Sequence, residues 1–255
     1  MDIKDSVAVV TGGASGLGEA VVERLIAQGG KAAIFDMNEE RGQALAQKHA
    51  GRAVFARVDV ADEASAMAGI AKALEALGQI RICVNCAGIG GVGRTVGRGG
   101  PLPLAEFERI IRVNLIGTFN VARVAAAEML KTEPNSDGER GVIVNTSSLA
   151  GLEGSMGQVA YSASKAGVIG MTLPMTRDFS QFGVRVCAIA PGLFATPLVA
   201  GAPEEMKQKL VAGLEFPKRM GDPAEFAALV AHIVENAYLN GEVIRLDAGT
   251  RGAPR

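Results

Sequence analysis

The sequence predicts a doubly wound α/β fold, in which a parallel sheet is covered by helices on both faces. Three observations carry this expectation: short β-rich runs alternate with longer helical patterns, a glycine cluster follows the first run at once, and nothing along the 255 residues marks off a second core. Strands separated by helices return in the same direction, so their sheet is parallel and buried on both sides. The strand-like runs fall at 7–10, 32–36, 53–58, 82–85, 142–147, 184–190 and 242–246. After the first run, Leu17, Ala20, Val21 and Leu25 mark one face of a helix,. Similar periodicity covers 62–77, 104–130, 158–180 and 223–236, and right-handed crossovers would lay these helices on alternate sides of the sheet,. One domain over 1–255 is expected, because a continuous α/β sheet commonly reaches this length,. The rhythm breaks at 90–103, 133–141 and 191–217, none of which reads as a linker into a second core.

Composition narrows the function classes. With 48% hydrophobic residues and no block of like charge, the chain can bury a large core,. Its 26 basic and 27 acidic residues are scattered and leave a net charge of −1, which argues against nucleic acid or an anionic membrane as partner,. The first residues lack a signal-peptide core and no run of about 18 apolar residues follows, so a soluble, cytoplasmic protein is expected,. Cys83, Cys86 and Cys187 lie in apolar runs and read as reduced core thiols,. Cys83 and Cys86 lack the second cysteine pair or nearby histidine that a zinc site needs, and no metal is expected,.

The segment VAVVTGGASGLGEA places Gly12, Gly16 and Gly18 between a strand and a helix. Glycines there allow a tight turn and close approach to a diphosphate, which the helix N-terminus then holds. Asp36 closes the second strand, 18 residues after Gly18, where a carboxylate accepts hydrogen bonds from adenosine ribose hydroxyls,. It would repel a 2′-phosphate, and the following Met37 and Asn38 offer no cation, so NAD is favoured over NADP. The competing reading of Asp36 is a cap for the next helix. Asp59 and Val60 end the third strand, and Asn85, Cys86, Ala87 and Gly88 the fourth, placing them to enclose adenine and ribose or simply to turn the chain,.

Tyr161 and Lys165 are four residues apart and share one helix face,. A phenol with a pKa of about 10 is a poor base at neutral pH, and a neighbouring ammonium together with a positive nicotinamide ring in a water-poor site is expected to lower that value by about 2 to 3 units. Ser148, 13 residues before Tyr161 and at the sheet's carboxyl edge, can donate to a substrate oxygen,. Ser147 is its rival for that place. Asn114 is a buried amide, either structural or the end of a water relay to Lys165.

These residues, together with Pro191-Gly192, resemble the short-chain dehydrogenase/reductase family over nearly the whole chain. The resemblance implies a Rossmann fold with a seven-stranded parallel sheet, a homotetramer, a Ser148, Tyr161 and Lys165 triad, and Asn114 completing a proton relay. It further implies NAD contacts from Ser15, Leu17, Asp36, Asp59, Val60, Cys86, Tyr161, Lys165, Phe194 and Thr196. Gly12, Gly16, Gly18, Ala87, Gly88, Pro191 and Gly192 would complete the cofactor site. Within the family, VNCAGI at 84–89, YSASKAGVIGMTLP at 161–174, IAPGLFATPL at 189–198 and NGEVIRLDA at 240–248 are similar to the type II 3-hydroxyacyl-CoA dehydrogenases, also called type 10 17β-hydroxysteroid dehydrogenases. Cys86 in place of the family's usual asparagine, and Asp247-Ala248-Gly249 in place of DGG, fit that subgroup.

The subgroup implies an acyl-CoA thioester substrate, bound at Ser148 and Tyr161, and Tyr161 as the general acid/base. A hydroxysteroid substrate is the alternative, and a non-catalytic NAD-binding scaffold is the alternative of a different class. Pro191, Gly192 and Pro197 would set the base of a lid running from Ala200 to Phe216, unless that stretch is a plain surface helix,. Arg94 and Arg98 are candidates for meeting the phosphates of coenzyme A,. Pro174 should kink the helix that carries Tyr161, and Ala163, Ala166, Gly167 and Gly170 suit it to a close helix contact between copies,.

Overall fold

The computed structural model describes residues 1–200 and 204–251. The first half alternates strictly: β1 (Val7–Thr11), α1 (Gly16–Ala27), β2 (Lys31–Asp36), α2 (Glu39–Lys48), β3 (Ala53–Arg57), α3 (Glu63–Leu77) and β4 (Ile80–Asn85). A two-residue hairpin, β5 (Val96–Gly97) and β6 (Gly100–Pro101), precedes α4 (Leu104–Ile111), a π-helical turn (Arg112–Ile116) and α5 (Gly117–Met129). Then come β7 (Gly141–Thr146), a 3-10 turn (Leu149–Gly151), α6 (Val159–Ser180), β8 (Val184–Pro191), α7 (Pro197–Ala200), α8 (Glu204–Ala212), α9 (Pro223–Glu235) and β9 (Val243–Leu246).

Seven strands form one sheet in the order β3-β2-β1-β4-β7-β8-β9, and each neighbouring pair is parallel. The seven-stranded Rossmann fold read from the sequence is therefore the observed one. Strand residues alternate between two cores, as the period of two demands. Val10, Ile34, Val84, Val144 and Ile189 face α1 and α9, whereas Val9, Phe35, Cys83, Ile143 and Val186 face α3, α5 and α6. The winding reverses between β1 and β4, which opens a crevice beyond their carboxyl ends,.

Some local features differ from the sequence reading and others add to it. The helix expected over 104–130 is interrupted by the π-helical turn at Arg112–Ile116. By length and composition Leu104–Met129 suffices to cross a membrane, yet Val121, Ala122, Ala125 and Met129 are buried in the core against the sheet. The expected break at 90–103 holds the small hairpin. Helix α2 was not anticipated, because only Gly42 and Leu45 of its ten residues are buried. Its cap is Asn38, whose side chain accepts from Arg41 N at 3.0 Å, so Asp36 is not needed for capping. The expected lid, Ala200 to Phe216, contains α8 and follows α7 at its base, and its residues 201–203 lie outside the described residues. Helix α6 runs unbroken from Val159 to Ser180 with Pro174 inside it.

Candidate active site

Loops at the crevice are brought together by glycines that have no room for a side chain. Gly12 adopts φ +62°, and a Cβ there would lie 2.9 Å from Ala87 Cα, so the turn after β1 rests on the backbone after β4. A Cβ on Gly18 would lie 2.2 Å from Gly12 O, which lets α1 begin directly over that turn. Thr11 Oγ1 accepts from Ala87 N at 3.1 Å and ties the same two segments. Asp36 braces the turn from the other side: Oδ2 accepts from Ala14 N at 3.1 Å, and Oδ1 accepts from Asn38 N at 2.9 Å. Ser15, the residue before α1, makes no side-chain cap, so the first-turn N–H groups of that helix face the crevice,.

The resulting cleft has a volume of about 540 Å³. Gly12, Ser15, Gly16, Leu17 and Gly18 line one wall, and Asp36, Asp59 and Val60 line the far end. Cys86, Ala87, Gly88 and Thr196 close it on the other side. Met37, Ile89 and Val113 also line it and were not singled out from sequence. Leu17, Cys86, Gly88 and Thr196 are shared with a second pocket of about 120 Å³, whose walls include Ser148, Tyr161, Lys165, Pro191, Gly192 and Phe194. The two halves of the predicted site are thus continuous.

The two serines stand in different surroundings. Ser147 is buried and donates to the Lys165 carbonyl at 2.8 Å, fastening β7 to α6. Ser148 accepts from Ala150 N at 3.1 Å and faces the same small pocket as Tyr161. Lys165, only 3% exposed, donates from Nζ to Thr146 O at 2.8 Å and stands 5.8 Å from the centre of the Tyr161 ring. Asn114 sits in the π-helical turn, fully buried. Its Oδ1 accepts from Ile89 N at 2.8 Å, and its Nδ2 donates to Ile89 O at 3.0 Å and to Ser164 Oγ at 3.1 Å.

Residues 6–207 match the short chain dehydrogenase family. The chain belongs to that family. A human relative, 3-hydroxyacyl-CoA dehydrogenase type-2, is 49% identical over 99% of this chain and 97% of its own length. The crystal structure of 3-hydroxyacyl-CoA dehydrogenase type-2 from Mycobacterium avium is 46% identical and superposes with a TM-score of 0.94, covering 98% of this chain and 97% of that one. More distant is a 3-alpha-(or 20-beta)-hydroxysteroid dehydrogenase from Mycobacterium tuberculosis, 33% identical over 96% of this chain and 88% of its own. This short-chain dehydrogenase is therefore an oxidoreductase, and family membership implies a nicotinamide cofactor. The cleft fits such a group: a turn that side chains cannot fill, open helix amides for a diphosphate, and a carboxylate at its far end,.

The electrostatics of the dehydrogenase differ from the sequence expectation in sign. Burial pushes the Tyr161 phenol above its ordinary value, and the Ser148 hydrogen bond works against that rise. Burial likewise pushes the Lys165 ammonium down to about 8. The lowered phenol expected from the sequence combined Lys165 with a positive nicotinamide ring; in the protein alone, desolvation disfavours the charged form of each residue,. Cys83 and Cys86 are pushed up by burial to about 12 and about 11, so both stay protonated thiols,.

Proposed function

We propose that the enzyme interconverts (S)-3-hydroxyacyl-CoA and 3-oxoacyl-CoA with NAD, Tyr161 being the general acid/base. The observation that carries this reading is the convergence of Ser148, Tyr161 and Lys165 on one pocket that opens into the Asp36 cleft. The near full-length similarity to proteins named 3-hydroxyacyl-CoA dehydrogenase type-2 supports the thioester.

Held by the glycine turn, Asp36 and Thr196, NAD supplies the hydride acceptor when bound. Ser148 orients the substrate oxygen by donating to it, and Tyr161 Oη takes the hydroxyl proton in oxidation or returns it in reduction. A phenol held protonated by burial is poised as the acid for reduction. In oxidation Lys165 supplies the local positive charge that phenolate formation requires. Asn114 supports the proton path: a Cβ on Gly88 would lie 3.4 Å from Asn114 Oδ1 and 3.5 Å from Lys165 Nζ, so that glycine leaves space for a bridging water. Asp36 selects NAD by repelling a 2′-phosphate. We place the enzyme in a homotetramer, joined in part through the exposed Ala163, Ala166, Gly170 and Leu173 stripe of α6.

The direct test is NADH formation with a panel of 3-hydroxyacyl-CoA and hydroxysteroid substrates, repeated with NADP. Expected is turnover of 3-hydroxybutyryl-CoA with a kcat/KM at least about tenfold higher for NAD than for NADP. Steroid turnover without thioester turnover would replace the substrate assignment, and an NADP preference would reject the role of Asp36. Arg94 and Arg98 are both exposed, Arg98 in the hairpin turn. If they meet coenzyme A phosphates, changing both to alanine raises the KM for acetoacetyl-CoA several-fold. A change below about twofold, roughly 0.4 kcal/mol, removes the idea.

A further inference from the structure

One guanidinium ties the stretch 245–250 to the segment that follows the Ser148 turn. Arg245 of β9 donates from Nη1 to Glu153 Oε1 at 2.6 Å, across 92 residues of sequence. Its Nε donates to Asp247 Oδ2 at 2.8 Å and its Nη2 to Thr250 O at 2.8 Å. Glu153 lies just beyond the 3-10 turn that Ser148 caps, and its N–H donates to Leu149 O at 2.8 Å. The Asp247 turn leans on the cofactor loop: Gly192 N donates to Leu246 O at 2.9 Å, and a Cβ on Gly192 would lie 2.8 Å from Asp247 Cα. That turn also receives the end of the 191–217 segment, since Glu215 N and Phe216 N both donate to Ala248 O, at 3.1 and 3.2 Å.

We propose that Arg245 is a positioning residue for proton transfer: acting through Glu153, it holds the Ser148 turn against Tyr161. Both partners of the Arg245 and Glu153 pair are more than a quarter exposed, so the pair adds little to stability as an ion pair,. Its value is geometric, because a planar fork that grips two carboxylates and a carbonyl fixes their separation. The consequence reaches the phenol. The Ser148 hydrogen bond lowers the Tyr161 pKa, so a loosened Ser148 leaves the phenol harder to ionise. This inference rests on the reading of Tyr161 as the acid/base.

The test uses the purified full chain and its Arg245→Met, Arg245→Lys, Glu153→Gln, Arg245→Met/Glu153→Gln and Tyr161→Phe variants. Oxidation of 3-hydroxybutyryl-CoA is followed from about pH 6 to 10, with thermal melts alongside. Arg245→Met is expected to lower kcat about tenfold and move the acid limb up by about half a pH unit, with the KM for NAD within about twofold. Arg245→Lys recovers part of that loss. Glu153→Gln, which leaves the Arg245 and Asp247 contact in place, moves kcat and the limb in the same direction without lowering the melting temperature. The double variant is no worse than Arg245→Met, because the two residues act as one device. An unmoved limb, an effect confined to the melt or to the KM for NAD, or additive losses would overturn the proposal. Should Arg245→Met fail to fold, Glu153→Gln decides alone. Full activity in Tyr161→Phe would remove the underlying reading instead, whatever the clamp variants do.

Discussion

Tyr161→Phe is expected to lower kcat by about 100-fold to 10,000-fold while leaving NAD affinity within about twofold. At 1.36 kcal/mol for each tenfold, that is roughly 3 to 5 kcal/mol of transition-state stabilisation. The substitution keeps the ring, which is buried beside Lys165 and Ser148, and removes only the hydroxyl. The pH profile of the unmodified enzyme carries the same information. Burial raises the phenol, so oxidation, which needs phenolate, accelerates as pH rises. Reduction, which needs the protonated phenol, slows as pH rises. Steady-state kinetics in both directions check this, and residual turnover above a tenth of the unmodified rate in the Phe variant would reject Tyr161 as the acid/base.

Lys165→Met should abolish turnover and at the same time stabilise the protein. The ammonium is held at about 8, below its ordinary 10.5, by burial. Between those values the folded chain binds fewer protons than the unfolded chain, so stability rises with pH across that window. Below about pH 8 the protein bears the full penalty of a buried charge, and methionine removes it. Thr146 O loses its donor, which offsets part of the gain at about 1 kcal/mol,. A net gain of about 1 kcal/mol corresponds to about 2–4 °C in a chain of this size. Melts at pH 7 and at about pH 9.5 read the effect: the difference should shrink at the higher pH, where lysine itself is increasingly neutral. A Met variant that melts lower at pH 7, or a difference independent of pH, would contradict the assigned burial penalty. The lysine is thus retained against stability, as functional groups in buried sites often are.

The seven strands were legible because a sheet buried on both faces leaves near-continuous apolar runs such as those of β1 and β8,. The glycines and Asp36 were legible because turn geometry and phosphate approach demand those residue types at those places. Other features left no local trace. The π-helical turn inserts one residue into a helix whose sequence, RVNLIGTF, reads as regular,. Helix α2 carries too little apolar surface to show periodicity. Ser147 and Ser148 could not be separated, because β7 is buried throughout and its burial does not alternate. The sign of the Tyr161 shift escaped because spacing reports which groups are near each other but not how much water both have lost. The Arg245 and Glu153 contact joins positions too distant for any spacing rule.

The turn that Gly12 and Gly18 build offers amide N–H groups, not side-chain cations, to whatever anion occupies it. Amides do not ionise anywhere in the working range of the enzyme, whereas Tyr161 and Lys165 do. On the proposed assignment, the hold of this turn on a diphosphate would be insulated from acidity, while the Tyr161 and Lys165 end would be tuned by it. A shift in the acidity of the surroundings would change the direction and speed of the reaction without emptying the enzyme of its coenzyme.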